Sequence, residues 1–140
     1  MEISALGLTG RGAHASDDEA FEEKENIKML PILKTISAIA TIVTGAVSLF
    51  WPLKVLGFTG LDVNGGRGVT EIRTILGALF IGLGAAVLYF NTQQAYQVLG
   101  ITYLTMAIVR GMAMFIDDAI VSSNLISFLA ELVLGIILVV

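Results

Sequence analysis

The sequence predicts an all-α integral membrane protein, an antiparallel bundle of four transmembrane helices. Of its 140 residues, 56% are hydrophobic and only 14% are charged, whereas charged residues make up about a quarter of a soluble domain. The mean hydropathy is +0.86, and the apolar residues fall in blocks long enough for a helix to cross the hydrocarbon core. A soluble chain of this length could not cover that much apolar surface, so we expect one compact membrane-embedded bundle.

Residues 1–29 are predicted to form an acidic polar tail ahead of the four-helix domain, residues 30–140. Seven acidic and four basic side chains lie in residues 1–34, so this part carries most of the net charge of −4. The tail has neither the basic start nor the apolar centre of a signal peptide. Two interpretations stay open: a solvated tail with one helical turn near residues 19–28, or a docking arm that becomes ordered on a partner.

The spans are predicted from their apolar runs and from the residues that bound them. Pro31 is expected in the first turn of the first span, and Pro52 ends that span. Residues 54–69 are predicted to be an interfacial glycine-rich loop, because they lack the Lys-Ser/Thr ending of a phosphate-binding loop. Short polar turns at residues 91–94 and 117–120 separate the later spans. The predicted spans are residues 32–50, 71–90, 96–116 and 121–140.

The second span offers two faces of small residues for helix packing. Gly77 and Gly84 share one face with Arg73, which can therefore point inward. A neighbouring ridge repeats a small residue every four positions, the spacing that lets two helix backbones approach closely. This small-residue ridge comprises Ala78, Gly82 and Ala86. We expect it to pack tightly on another helix, either within the bundle or in another protomer.

Ionisable residues inside apolar spans are costly at membrane depth, so they usually face the interior and find partners. In an antiparallel bundle the 51–70 connection and the 117–120 turn lie on the same side, and six ionisable residues gather there. The predicted cluster comprises Glu71, Arg73, Arg110, Asp117, Asp118 and Glu131. The depths of Arg110 and Glu131 differ by roughly 6 Å at 1.5 Å per residue. An extended arginine can cross that distance, which predicts a bidentate pair between these two residues.

A polar stripe accompanies the cluster on the last two spans, where Tyr103, Asn124 and Ser127 lie on the same faces as the predicted pair. Two interpretations of the cluster stay open. The ions either pair and fix the register of the helices, or line a polar cavity for a small anion, a proton or a lipid head group. The sequence contains no cysteine, Ser–His pairing or cofactor fingerprint, so we expect no enzymatic activity, metal or cofactor. No basic patch indicates nucleic-acid binding.

Residues 30–140 resemble a family of small bacterial four-helix membrane proteins that is catalogued as a domain of unknown function. The resemblance is carried by Glu71-Ile-Arg73 leading into Gly77, Gly82 and Gly84, then by Arg110, Asp117, Asp118 and Glu131. It implies a four-helix integral membrane fold with a shared charged core in the bacterial inner membrane. It implies no particular activity.

Two functions are compatible with these observations. The first is a non-enzymatic accessory or structural subunit of a larger membrane assembly, whose partners are the lipid bilayer and other membrane subunits or a second copy. The alternative is a small transporter or ligand-binding membrane protein that uses the Arg/Glu/Asp cluster. We expect cytoplasmic termini, because an acidic tail without a signal peptide would otherwise have to be translocated.

Overall fold

The computed structural model describes the backbone of residues 10–140 and the side chains of residues 29–140. Within that part the chain is helical and contains no strand, so the predicted all-α class is confirmed. The elements are α1 (Gly10–Phe50), α2 (Pro52–Thr59), α3 (Gly65–Glu71), a π-helix (Ile72–Ala78), α4 (Leu79–Phe90), α5 (Gln93–Ile116) and α6 (Ser122–Val139). The chain divides into two units, residues 1–33 and 34–140. All packing described below lies within residues 34–140.

Four helical stretches are long and apolar enough to cross a membrane. They are Met29–Phe50, Gly65–Phe90, Gln93–Ile116 and Ser122–Val139. Each overlaps one of the four predicted spans. A long apolar segment forms a helix in lipid because the helix satisfies all of its backbone hydrogen bonds internally.

Helix α1 begins far ahead of the predicted first span. Pro31 lies inside α1 and not in its first turn, so the prediction of a single helical turn near residues 19–28 was wrong. Residues 17–28 contain neither glycine nor proline and are rich in glutamate and lysine, which are strong helix formers. Residues 1–9 and the side chains up to residue 28 lie outside the described part, and with them most of the predicted docking arm.

The predicted loop at residues 54–69 is partly helical, which corrects the sequence analysis. Pro52 does not only end α1 but opens α2, at a position where its missing N–H removes no hydrogen bond. Gly60 ends α2 in the left-handed conformation, with φ of 69°. From Gly65 the chain is helical through α3, the π-helix and α4. The second long helical run therefore starts six residues before its predicted first residue, Glu71.

A short link joins α4 to α5. Asn91 ends α4 with φ of 44°, and the Thr92 hydroxyl accepts a hydrogen bond from the Ala95 N–H at 3.3 Å. This N-cap satisfies one of the free N–H groups at the helix start. Helix α5 consequently begins at Gln93, three residues earlier than predicted.

Glycines set the contact between α1 and the run from the π-helix to α4. A Cβ atom on Gly84 would lie 2.8 Å from the Ala38 carbonyl oxygen, and one on Gly45 would lie 2.7 Å from the Gly77 carbonyl oxygen. Real side chains do not tolerate such distances from backbone atoms, so only glycine permits this approach. The Gly77 and Gly84 face is therefore the packing face of this helical run.

The small-residue ridge packs on no helix in the described part of the chain. Ala78, Gly82 and Ala86 are exposed, and a Cβ atom on Gly82 would meet nothing within 4 Å. Of the two predicted arrangements, packing within the bundle is therefore not found among the described residues, and packing against another protomer stays a prediction. Both faces carry small residues at helical spacing, and the rotation of the helix about its axis buries only one of them.

The apolar core draws on α1, α4, α5 and α6. Its buried members are Ala38, Val87, Tyr96, Leu99, Tyr103 and Leu138. Helices α5 and α6 also pack closely on each other, and a Cβ atom on Gly100 would lie 3.0 Å from the Gly135 carbonyl oxygen. This tight contact sets the positions from which the charged side chains of α5 and α6 meet.

Candidate functional site: the Arg110–Glu131 cluster

A short turn brings the charged residues of α5 and α6 together. The Asp117 N–H donates to the Ala113 carbonyl at 2.9 Å, and the Ala119 N–H donates to the Met114 carbonyl at 3.0 Å. Asp118 adopts the left-handed conformation with φ of 50°, which asparagine and aspartate tolerate better than most residues. The turn ends at Val121, and α6 begins at the next residue.

Arg110 and Glu131 form the predicted bidentate ion pair, so this pairing is confirmed. The Arg110 Nε donates to Glu131 Oε1 at 3.0 Å and to Oε2 at 2.9 Å, and Nη2 donates to Oε1 at 2.7 Å. These are charge-assisted hydrogen bonds with the geometry in which an arginine and a carboxylate bind most strongly. The pair links α5 to α6 across 21 residues of sequence.

Asn124 ties the ion pair to the turn. Its Oδ1 accepts a hydrogen bond from Arg110 Nη1 at 3.2 Å, and its Nδ2 donates to the Ala119 carbonyl at 2.9 Å. The polar chain therefore runs from the turn through Asn124 and Arg110 to Glu131. We call Arg110, Asn124 and Glu131 the charge cluster.

The two charged side chains differ in exposure. The Glu131 side chain is 7% exposed and the Arg110 side chain 31% exposed. A buried carboxylate is costly unless paired and hydrogen-bonded, and both Glu131 oxygens accept from Arg110. The guanidinium thus satisfies Glu131 on one side and faces open space on the other.

That open space is a pocket of about 440 Å³ between the ends of α5 and α6. Its polar lining includes Arg110, Asn124 and Asp117, and its apolar lining includes Met106 and Ala113. The volume lies in the range of about 300–1,000 Å³ that is usual for small-ligand sites. Apolar walls with a few polar groups are also typical of such sites.

The remaining members of the predicted six-residue cluster do not join the ion pair. Asp117 lines the pocket, whereas Asp118 and Glu71 are exposed, and neither side chain has an ion-pair partner among the described residues. Arg73 is exposed, and its Nη1 donates to the Leu49 carbonyl. The last carbonyls of a helix lack partners within it, which gives Arg73 an acceptor at the end of α1 and corrects its predicted place.

The predicted polar stripe divides among different surroundings. Tyr103 is buried, its hydroxyl lies 2.8 Å from Thr41 Oγ1 on α1, and its ring meets Phe80 edge-on at 6.5 Å. Ser127 is half-buried. Only Asn124 contacts the ion pair. Tyr103 therefore serves the contact between α5 and α1.

Sequence analysis missed a second row of buried polar contacts on α1. Lys34 is 5% exposed and donates to Gln93 Oε1 at 2.8 Å. The sequence pattern that could have revealed this row is a set of residues spaced alternately four and three positions apart. This row comprises Lys34, Ala38, Thr41, Gly45 and Ser48, and all five are buried. Such spacing marks one face of a helix in contact with another.

In the described part of the chain, the fold and the charge cluster define a helical protein with four helices long and apolar enough to cross a membrane and with an ion pair between two of them. Comparison with known protein families, with curated proteins and with solved structures finds no match for this chain. The resemblance to a family of unknown function therefore stays a prediction. No group of three residues suited to hold a metal ion occurs in the described part of the chain.

Proposed function

We propose that the protein is a non-enzymatic multi-pass membrane protein, inserted as an antiparallel four-helix bundle, that acts as an accessory or structural subunit of a larger membrane assembly. Exposed apolar side chains along all four long helices support insertion, because lipid is the solvent that accepts them. Examples are Ile36, Val43, Ile75, Leu79, Ile101, Ile108, Ile126 and Val133. The short α4–α5 and α5–α6 links support the antiparallel arrangement.

The exposed small-residue ridge is the observation that carries the subunit proposal. Ala78, Gly82 and Ala86 are spaced for close helix approach, yet they contact no helix in the described part of the chain. A helix of another membrane subunit or of a second copy would fill this face. The charge cluster, in this proposal, is a structural clamp between α5 and α6.

The bacterial inner membrane and cytoplasmic termini belong to the same proposal. The first rests on the resemblance stated above. The second rests on the acidic residues 17–25, which favour the side that requires no translocation of the tail.

A substitution on the ridge tests the proposal. Gly82→Leu places a bulky side chain on the ridge, where there is open space within the chain itself. We expect the variant to insert and unfold like the unmodified protein but to lose its partner subunits during purification in mild detergent. The measurement is the stoichiometry of co-purified proteins on a native gel.

A matched pair of alanine substitutions serves as control. Ala86 lies on the ridge, and Ala130 is exposed on α6 away from it. Ala86→Leu should release partners as Gly82→Leu does, while Ala130→Leu should retain them. Normal stoichiometry with both ridge variants would mean that the ridge faces lipid, and the subunit proposal would lose its support.

The pocket beside Arg110 is the observation that supports a second candidate function, a ligand-binding membrane protein or small transporter. Its apolar walls and the partly exposed guanidinium suit a bound amphiphile or solute. A transporter should run as a homo-oligomer and respond to a solute in a reconstituted vesicle. An accessory subunit should instead purify at fixed stoichiometry with a larger complex.

A further inference from the structure

We propose that the pocket beside Arg110 binds the head group of a phospholipid that carries a primary ammonium group, as phosphatidylethanolamine does. This inference rests on the proposed insertion in a membrane and gives a ligand class to the pocket. The site would be built from the free hydrogen-bond donors of Arg110 and the carboxylate of Asp117, with apolar walls deeper along α5.

Arg110 keeps donors for a ligand after it has satisfied its protein partners. A guanidinium has five N–H groups, and the contacts to Glu131 and Asn124 use Nε and one hydrogen on each Nη atom. One hydrogen on Nη1 and one on Nη2 therefore have no partner among the described residues. With 31% of the side chain exposed, these donors can meet two oxygens of a phosphate.

Asp117 contributes a negative charge to the pocket, where an ammonium group could bind. It lines the same pocket, is exposed, and has no ion-pair partner among the described residues. Asp117 also caps the C-terminal end of α5, where the helix dipole disfavours an anion and favours a cation. An ammonium group bound here would relieve that repulsion.

The charge balance excludes a simple anion as the best ligand. Glu131 neutralises Arg110, so the two residues of the ion pair and Asp117 together carry a net charge of −1. A free phosphate would meet two donors but also an uncompensated carboxylate. A zwitterion with an ammonium and a phosphate matches both parts of the site.

The order of groups along α5 matches the order of groups in the lipid. Asp117 lies at the end of α5, Arg110 lies about 10 Å deeper at 1.5 Å per residue, and Met106 lines the pocket one turn further. Nη1 donates to Asn124 in the first turn of α6, and Asn124 Nδ2 donates to the Ala119 carbonyl in the turn that follows Asp117. Ammonium, phosphate and acyl chains follow the same order from the membrane surface inward.

The ammonium group must be able to donate hydrogen bonds for this fit. A primary ammonium offers three donors to a carboxylate, while the quaternary ammonium of phosphatidylcholine offers none. Phosphatidylglycerol lacks a cation and would meet the Asp117 carboxylate. The expected preference is therefore ethanolamine over choline, and choline over glycerol.

The test is native mass spectrometry of the full-length protein in detergent with the three lipids at equal concentration and with identical acyl chains. We expect one molecule of phosphatidylethanolamine to bind about tenfold more tightly than phosphatidylcholine, the factor expected from a lost charge-assisted hydrogen bond. Equal affinity for the two, or tighter binding of phosphatidylglycerol, would overturn the proposal. Soluble glycerophosphoethanolamine at the same concentration should not displace the lipid; displacement would assign the pocket to a free solute instead.

Neighbouring aspartates provide a matched control. Asp117→Asn should remove the preference for ethanolamine over choline, whereas Asp118→Asn, which makes the same charge change outside the pocket lining, should keep it. Ala113→Phe fills the pocket and should abolish binding, while Ala130→Phe should leave it unchanged. An unaltered preference in Asp117→Asn contradicts the head-group site.

Failure of this inference is distinguishable from failure of the proposed function. A protein that shows no lipid preference but stays in carbonate-washed membranes and co-purifies with its partners retains the proposed function. A protein that leaves the membrane on washing contradicts the proposed function, whatever its lipid binding.

Discussion

At the scale of single residues, the described structure satisfies its buried polar groups by pairing them across helices. Glu131 accepts from Arg110 on α5, and Thr41 on α1 bonds with Tyr103 on α5. No buried side-chain nitrogen or oxygen of the described residues lacks a hydrogen-bond partner. In an apolar surrounding an unpaired polar group is costly, so each of these pairs also selects one relative position of its two helices.

The first prediction concerns the ion pair. Arg110→Leu leaves the Glu131 carboxylate buried without its partner, and we expect a loss of about 3 kcal/mol in the free energy of unfolding. Arg110→Leu combined with Glu131→Leu should lose much less than the sum of the two single changes, because no charge is left unpaired. Unfolding in detergent, followed by circular dichroism, measures this difference.

Arg73→Leu, which removes an exposed arginine with one backbone acceptor, is the control and should lose about 1 kcal/mol or less. Additive losses in the double variant would contradict the coupling.

The second prediction concerns the buried hydroxyl pair. The Thr41 hydroxyl also donates to the Ser37 carbonyl at 2.8 Å, so it keeps a partner when Tyr103 loses its hydroxyl. Thr41→Val instead strands the Tyr103 hydroxyl and should cost about 1–3 kcal/mol. Adding Tyr103→Phe to Thr41→Val should recover part of that loss, as measured by the same unfolding experiment.

Thr44→Val provides the control for this pair. Its hydroxyl is exposed and donates to the Ala40 carbonyl within α1, so the substitution should change stability little. If Thr41→Val and Thr44→Val are equally stable, the hydroxyl pair does not contribute.

At the scale of secondary-structure elements, the contact between α1 and α4 depends on which residues lack a side chain. Gly45 and Gly77 bring two backbones together, and Gly84 contacts the backbone of α1 at Ala38. Without apolar exclusion from water, helices in lipid associate through close packing, and small residues make that packing possible. The same helical run leaves its other small-residue face open.

The third prediction compares two glycines of α4. Gly84→Ala should destabilise the protein, because its Cβ atom would lie 2.6 Å from Ile42 Cγ1 and 2.8 Å from the Ala38 carbonyl oxygen. Gly82→Ala meets no atom within 4 Å and should be neutral or stabilising by up to about 1 kcal/mol, since alanine is the better helix former. Thermal unfolding of both variants in one detergent decides this. Equal melting temperatures would contradict the assigned packing face.

At the scale of the whole molecule, exposed apolar side chains lie along all four long helices, and polar contacts lie between them. A soluble domain places apolar side chains inside and polar ones outside, so the distribution here is the opposite and fits the proposed insertion in lipid. The proposed subunit would have two surfaces for partners, a helix face within the membrane and a polar segment outside it.

 The fourth prediction concerns that polar segment. Deleting residues 1–25 removes all seven acidic side chains of residues 1–34, which are Glu2 and the six from Asp17 to Glu25. If these side chains dock on basic residues of a partner, the truncated protein should stay inserted but separate from its complex. Co-purification in mild detergent measures this outcome.

The control for the deletion is a charge-neutral version of the same segment. Replacing the six acidic residues from Asp17 to Glu25 with asparagine or glutamine keeps the length of the chain and should release the complex as the deletion does. If the truncated protein still co-purifies with every partner at normal stoichiometry, docking through this tail is wrong. A self-contained transporter would keep both its assembly and its response to solute.

The sequence by itself determined the helical class, the approximate positions of the four long apolar helices and the pairing of Arg110 with Glu131. Each of these depends on local rules. Apolar runs of about 20 residues favour helices, and a short turn places residues at similar distances from it side by side. The ion pair could be predicted because only five residues separate α5 from α6.

Only the tertiary structure decided which faces meet. Small residues occur on two faces of the run through α4, and the contact of Gly45 with Gly77 buries one face and leaves Gly82 open. Arg73 likewise reaches the Leu49 carbonyl and not the charge cluster. The physical reason is that the rotation of a helix about its axis depends on the side chains of its neighbours, which lie far away in sequence. Periodicity within one helix carries no information about that choice.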